Sequence, residues 1–70
     1  MDEKFMYKYY TAMETFWSGV GDLLGKLEYR AYRKGNGGYG RMYDSQQQKA
    51  YRKSGKYYLM AMECLDRIKS

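Results

Sequence analysis

Histidine is absent from this chain of 70 residues, and Cys64 is the only cysteine. These two shortages exclude zinc sites of the Cys/His type and disulfide bonds within one chain. They also exclude the Ser/His/Asp and Cys/His arrangements that activate a nucleophile. Glu63 and Asp66 stand too close to Arg67 and Lys69 to form a metal-binding pair. We therefore predict a protein that is not an enzyme, with no catalytic residues, no metal and no cofactor.

Long apolar runs are missing as well. The longest uncharged stretch, residues 15–21, is far too short to span a bilayer. The first residues carry charges at Asp2, Glu3 and Lys4 and lack the apolar run of a signal peptide. A single thiol suits a reducing compartment. The sequence therefore predicts a cytoplasmic protein with no membrane partner.

Apolar side chains are nevertheless plentiful, because 44% of the residues are hydrophobic. At this length they are enough for one small domain, residues 1–70, and too few for two. Such a small domain usually needs a metal, disulfide bonds or self-association for stability, and the first two are excluded. We therefore expect a homo-oligomer.

In the first half of the chain the apolar residues recur at alternating spacings of three and four, which is typical of one face of a helix. The predicted helix covers about residues 2–34. Glycines weaken it by about 1 kcal/mol each relative to Ala, and a break near residues 18–21 is an alternative. Gly21 and Gly25, four residues apart, would let a neighbouring helix approach closely. The apolar face comprises Met6, Tyr9, Met13, Phe16, Val20, Leu23 and Leu27, widened by Tyr10, Trp17, Leu24 and Ala31.

Glycine is concentrated in the run Gly-Asn-Gly-Gly-Tyr-Gly at residues 35–40. So many residues that tolerate a positive φ favour a turn, and the predicted loop covers residues 35–43. Asp44 or Ser45 can then cap a second helix, with a glutamine three residues further on to complete a capping box.

The second predicted helix covers about residues 45–69. Its apolar residues again alternate between spacings of three and four. Leu59 and Met60 interrupt this pattern, since they fall on or beside the polar face. The apolar face comprises Tyr51, Ser54, Tyr58, Ala61, Leu65 and Ile68, flanked by Tyr57, Met62 and Cys64, which we expect to be a buried structural thiol.

The two helices predict an all-α fold, an antiparallel helical hairpin. A single hairpin covers only one side of each apolar face, so two hairpins are expected to pair into a helical bundle. The alternative is an α+β domain of α-β-β-α order, with strands near residues 27–33 and 39–43. Residues 27–33 also alternate with a period of two, and Asn36-Gly37 is a strong hairpin signal.

Basic residues are concentrated in the middle of the chain. The net charge is +5, yet residues 26–56 hold nine Lys or Arg against two acids, Glu28 and Asp44. The rest of the chain holds four basic and six acidic residues. The middle is therefore basic and the two ends are mildly acidic, a distribution that favours an anionic partner.

Tyrosines alternate with these basic groups around the predicted loop. The tetrapeptide Ala-Tyr-Arg-Lys occurs at residues 31–34 and 50–53, and the predicted hairpin would bring both copies to its loop end. Arg offers a planar donor fork to phosphate oxygens, Lys a point charge, and Tyr a ring on which a base can stack. The predicted anion-binding residues are Lys26, Arg30, Arg33, Lys34, Arg41, Lys49, Arg52, Lys53 and Lys56, and the predicted stacking residues are Tyr29, Tyr32, Tyr39, Tyr43 and Tyr51.

Two classes of function follow. The first is a small oligomeric protein that binds nucleic acid or another phosphorylated ligand, such as a nucleotide, at this basic end. The second is a protein-interaction module that occupies an acidic or nucleic-acid-binding protein surface. Viral accessory proteins encoded by phages, and those of mobile elements, share this size and character, which is an association only; they include inhibitors that block a host nucleic-acid-handling protein. An exposed apolar ridge at Leu59 and Met60, joined to the basic end, would favour the second class, whereas an isolated basic groove would favour the first.

Overall fold

The computed structural model describes residues 2–70 as an antiparallel hairpin of two helices, α1 (Glu3–Arg33) and α2 (Gly37–Lys69). The two helices pack along their whole lengths into a slender rod of 53 × 15 × 13 Å. The predicted all-α hairpin is confirmed. Residues 2–70 contain no strand, so the α-β-β-α alternative is wrong.

α1 is continuous for 31 residues. Asp2 caps its N-terminus, where the side-chain oxygen Oδ1 accepts a 3.1 Å hydrogen bond from the backbone N–H of Lys4. The alternative of a break near residues 18–21 is wrong. α2 packs against this stretch, and the hydroxyls of Ser18 and Ser54 are 2.6 Å apart across the interface. Tertiary packing therefore outweighs the weak helix propensity of the glycines.

The turn between the helices needs only one glycine in the left-handed region, Gly35 with φ +82°. The backbone N–H of Gly35 donates to the carbonyl of Tyr32, and that of Asn36 donates to the carbonyl of Ala31. This pair of bonds is the Schellman motif that ends many helices. The connection is therefore residues 34–36, and the predicted loop over residues 35–43 is wrong.

α2 consequently starts at Gly37, with Asn36 as its N-cap. Gly40 is buried in its first turn because the ring of Tyr32 packs against it, and a Cβ there would lie 2.7 Å from the ring carbon Cζ. Asp44 and Ser45 lie inside α2 and are not its cap. The helix begins eight residues earlier than predicted, which corresponds to about 12 Å along its axis.

The most deeply buried residues between α1 and α2 are small. On α1 it follows a row of residues seven apart, predicted only as the margin of the apolar face. Phe16 and Leu23, at the centre of the predicted face, are instead 57% and 58% exposed. The row on α1 comprises Tyr10, Trp17, Leu24 and Ala31, and the buried residues of the hairpin are Gly21, Ala31, Gly40, Ala50, Ser54, Ala61 and Cys64.

The open end of the hairpin is closed by Glu3, Cys64 and Arg67. The buried Cys64 thiol donates to Glu3 Oε2 at 3.0 Å, and Arg67 Nε forms a 3.2 Å ion pair with Glu3 Oε1. The bond to Glu3 raises the pKa of the thiol. Cys64 is therefore buried, as predicted, and ties the two chain ends together.

Candidate anion-binding groove

A groove of about 470 Å³ opens between α1 and α2 on the side of the hairpin nearer the turn. Most of its lining comes from the second half of α1, and α2 closes it from one side. Of the fourteen predicted site residues, five line this groove. The lining residues from α1 are Asp22, Gly25, Lys26, Tyr29, Arg30 and Arg33, and those from α2 are Gln47 and Tyr51.

Three cations line the groove, at Lys26, Arg30 and Arg33. Their spacings of four and three place them on neighbouring turns of one helix face. No carboxylate lies within ion-pair distance of any of them, because the one ion pair among residues 2–70 joins Glu3 and Arg67. Their charges are therefore free to attract an external anion.

The α2 wall of the groove is held close to α1 by two glycines. A Cβ on Gly21 would lie 2.5 Å from the ring carbon Cε1 of Tyr51, and a Cβ on Gly25 would lie 2.5 Å from Nε2 of Gln47. The prediction that Gly21 and Gly25 permit close approach of a helix is confirmed. Side chains at these positions would fill the space that Tyr51 and Gln47 now occupy.

Asp22 is the one carboxylate in the groove. It accepts a 2.6 Å hydrogen bond from the hydroxyl of Tyr51, and this bond raises the pKa of Tyr51. Asp22 therefore orients a tyrosine of the opposite helix, and three cations outnumber it in the groove.

Tyr29 presents the most exposed aromatic ring of the groove, with 65% of its surface accessible. It stands one turn of α1 from both Lys26 and Arg33, so a flat ring lies among donors for anionic oxygens. An arrangement of this kind can hold a phosphate and stack a planar base at the same time.

A smaller groove of about 300 Å³ lies beside the turn. Arg30 lines both grooves and therefore stands between them. The predicted residues Lys34, Tyr39 and Tyr43 line the smaller groove, together with Leu27, Ala31 and Asn36. The turn thus gathers a second, partly apolar group of predicted site residues.

The remaining predicted cations lie elsewhere. Residues 50–53 are about 20 Å along α2 from its start, so the second Ala-Tyr-Arg-Lys copy lies at the middle of the hairpin. The expectation that both copies meet at one end is wrong, because α2 begins at Gly37. Lys53 Nζ lies 4.2 Å from the centroid of the Trp17 ring, which is a cation–π contact. The predicted residues that line neither groove are Tyr32, Arg41, Lys49, Arg52, Lys53 and Lys56.

Four of these cations belong to a stretch of α2 with no acidic residue, residues 45–62. Lys49, Arg52 and Lys56 are exposed and stand three and four residues apart, on one face of the helix. Leu59 continues this basic row and is 62% exposed. Met60, by contrast, is half-buried. The basic row therefore carries an apolar residue at one end.

Asp22 and Gln47 are groove residues that the sequence analysis did not identify. Asp22 stands four residues before Lys26, so its position on the same helix face was readable from the spacing. Gln47 carries no such signal, because only the register between α1 and α2 places it opposite Gly25.

A pair of carboxylates, Glu28 and Asp44, faces across the interface near the turn. Both side chains are half-buried. Partial burial, followed by the hydrogen bond and the charge of Asp44, raises the pKa of Glu28. The two acids thus weaken the hairpin when both are charged.

Among residues 2–70, neither helix is long and apolar enough to cross a bilayer. In the same range no three His, Cys, Asp or Glu side chains form a group that could hold a metal ion. Comparisons of the chain with protein-family models, curated proteins and solved structures found no match.

Proposed function

We propose that this chain is a small, non-enzymatic, self-associating protein that binds nucleic acid or another phosphorylated ligand in the groove near the turn. The observation that carries the proposal is the set of three cations, Lys26, Arg30 and Arg33, which form no ion pair within residues 2–70 and surround the exposed ring of Tyr29. We place the protein in the cytoplasm, where its free thiol at Cys64 would stay reduced.

The groove favours a single strand or a nucleotide over a duplex. Arg30 and Arg33 offer guanidinium forks to phosphate oxygens, and Lys26 adds a third charge. Tyr29 offers its face to an unpaired base, which a duplex would keep stacked inside. Asp22 and Gln47 supply an acceptor and an amide with which the edge of that base could form hydrogen bonds.

Titration of a fluorescently labelled single-stranded oligonucleotide at several salt concentrations tests this proposal. Replacing both Arg30 and Arg33 with Ala should weaken binding and lower the salt slope by about 1.4, since each phosphate contact contributes about 0.7 for single strands. The matched control replaces Lys4 and Lys8 with Ala. It removes the same charge at the open end of the hairpin and should change both quantities less.

Equal effects of the two double variants would mean that total charge, and not the groove, determines binding. Wild-type affinity and slope in the Arg30/Arg33 variant would remove the groove from the proposal altogether. Circular dichroism of each variant confirms that the hairpin is still folded.

Self-association is proposed because the hairpin has a thin core. The buried residues are Gly, Ala, Ser and Cys, and large apolar side chains such as Phe5 and Phe16 remain exposed. A domain of this size without metal or disulfide needs further apolar burial to be stable.

The second candidate function is a protein-interaction module, and the exposed Leu59 favours it. Leu59 stands one turn beyond Lys56 and two turns beyond Arg52, so an apolar side chain joins a basic row on the same face of α2. Such a face suits a partner with an acidic or nucleic-acid-mimicking surface, as for an inhibitor that docks on an acidic patch of a nucleic-acid-binding protein.

A pull-down with and without nuclease separates the two candidates. A partner protein that survives nuclease and is lost with Leu59→Asp would support the interaction module. Retention that disappears with nuclease, and that the Arg30/Arg33 variant abolishes, would support the nucleic-acid binder.

A further inference from the structure

α1 carries a second row of apolar side chains that α2 leaves largely exposed, although Tyr9 in this row meets the ring of Tyr57 on α2 edge to face, with 6.5 Å between the ring centroids. Phe5, Tyr9, Phe16 and Leu23 are all between 46% and 59% exposed. Leu27, at the far end of the row, is half-buried. We call these five residues the outer seam. Their spacings of four, seven, seven and four place them in line along a helix with a repeat of seven.

The outer seam is distinct from the row through which the hairpin holds itself together. The intramolecular row passes through Tyr10, Trp17 and Leu24, each one residue after a member of the outer seam. α1 therefore carries two apolar rows side by side. A repeat of seven residues is the pattern by which one helix packs along another, and within the hairpin only the intramolecular row packs against α2 along its whole length.

The spacing of the outer seam is symmetric about Phe16. Tyr9 and Leu23 lie seven residues on either side of it, and Phe5 and Leu27 lie eleven residues on either side. An antiparallel second copy of α1, with a two-fold axis at Phe16, would therefore place each apolar side chain opposite an apolar side chain.

The residues beside the seam obey the same symmetry. Met13 and Gly19 each lie three residues from Phe16, so Met13 of one copy would face Gly19 of the other. Gly19 is exposed, and a Cβ there would meet nothing within 4 Å in the hairpin. A long side chain facing a glycine is the large-to-small pairing by which packed helices interlock.

Charge also favours the antiparallel arrangement. The N-terminal end of α1 is nearly neutral, because Lys4 and Lys8 offset Asp2 and Glu3. Its C-terminal end bears Arg30, Arg33 and Lys34, and an antiparallel pair keeps the basic ends of the two copies apart. A parallel pair would place the two basic ends together, which like-charge repulsion disfavours.

We propose that the partner of the outer seam is α1 of a second copy of this chain, packed antiparallel about a two-fold axis at Phe16. The inference rests on the self-association proposed above and deepens it, because it names the surface and the orientation. The resulting dimer is a four-helix bundle with α1 of both copies at its centre and α2 of both outside. The anion-binding groove of one copy and that of the other lie toward opposite ends of the bundle.

Sedimentation equilibrium of the full chain tests the surface. Wild-type protein should sediment at twice the monomer mass of 8.4 kDa at micromolar concentration. Phe16→Glu should shift the population to monomer. Leu59→Glu is the matched control, because it puts the same charge at an equally exposed apolar position on α2, and it should leave the dimer intact. A wild-type monomer, or a dimer lost with Leu59→Glu and not with Phe16→Glu, would overturn the inference.

Disulfide crosslinking tests the orientation and does not depend on the stability of Phe16→Glu. Phe16→Cys should crosslink to itself under mild oxidation. Tyr9→Cys and Leu23→Cys should crosslink poorly alone and efficiently when mixed. The wild type is the control, since its Cys64 is buried. Efficient self-crosslinking of Tyr9→Cys and of Leu23→Cys would mean a parallel pair, which overturns the orientation while self-association survives. Oligonucleotide binding by the groove is scored separately, so its failure is distinguishable from failure of this interface.

Discussion

The hydroxyl of Tyr51 on α2 donates a 2.6 Å hydrogen bond to Oδ1 of Asp22 on α1, and this bond joins the two walls of the groove. The Tyr51 ring can reach Asp22 only because it packs over Gly21, where a Cβ would lie 2.5 Å from the ring. A glycine, an aromatic ring and a carboxylate thus set the register of the hairpin at its middle.

Gly21→Ala should destabilise the hairpin. The added methyl group must displace the Tyr51 ring and its bond to Asp22, and overpacking of this kind costs about 1 to 3 kcal/mol. Gly55→Ala is the control, because a Cβ at that helical position meets nothing within 4 Å. It should stabilise by about 1 kcal/mol through helix propensity. Urea denaturation followed by circular dichroism measures both, and a stabilising Gly21→Ala would contradict the observed register.

The Tyr51–Asp22 bond should make the stability of the hairpin vary with pH in the alkaline range. The bond raises the pKa of Tyr51. Folding therefore favours the neutral phenol. The contribution of the bond to the free energy of unfolding is complete below the pKa of tyrosine in the unfolded chain, about 10, and is lost as pH rises through the pKa of Tyr51 in the folded protein. Tyr51→Phe should flatten that loss, whereas Tyr58→Phe, at another exposed tyrosine of α2, should not. Thermal melts across this alkaline range give the comparison, and identical slopes would argue against the bond.

Glu28→Gln should stabilise the hairpin at neutral pH. The pKa of Glu28 is raised by partial burial and by Asp44, so the charged form is disfavoured by folding. The stability that protonated Glu28 contributes is therefore complete below the ordinary carboxyl pKa of 4.5. It is lost as pH rises through the pKa of Glu28 in the folded protein. The variant should melt higher than wild type at pH 7 and no higher in acid. Glu63→Gln, at an exposed position on α2, is the control, and a pH-independent gain for Glu28→Gln would contradict the charge repulsion.

Tyr29→Ala should separate stacking from bulk charge in the groove. A base stacked on a tyrosine contributes about 1 to 3 kcal/mol by alanine substitution. Because no phosphate contact is removed, affinity for a single strand should fall while the salt slope stays constant. Tyr58→Ala provides the matched loss of an exposed tyrosine away from the groove, and oligonucleotide titrations compare the two. A changed slope, or equal losses in both variants, would contradict stacking on Tyr29.

The helical character of the chain was readable from its sequence. Apolar spacings of three and four run through both halves, and each helix contains one of these stretches, although α2 also extends eight residues before the helix predicted from its own. The cations of α1 in the groove were readable for the same reason, since Lys26, Arg30 and Arg33 share a face in any helix that contains them. Local periodicity determines which residues of one helix stand together, whatever the helix packs against.

The packing face of α1 was decided only by tertiary structure. Two apolar rows one residue apart both satisfy the helical period, so periodicity cannot choose between Phe16 and Trp17 as the inward residue. The glycines of α1 decide between them, because α2 packs against the side of α1 on which Gly21 and Gly25 leave room for Tyr51 and Gln47.

The position of the turn was likewise a tertiary outcome. Any of the glycines at residues 35, 37, 38 and 40 could have made it, but only Gly35 adopts a positive φ, while Gly40 is held in α2 by the Tyr32 ring. Because the turn is made at Gly35, every residue of α2 stands eight positions further from the turn than the sequence predicted. It brought Gln47 and Tyr51 to the groove and left Lys49, Arg52 and Lys56 on the open flank of α2. A sequence specifies the residues of each helix, but the register between helices depends on which side chains fit against which glycines.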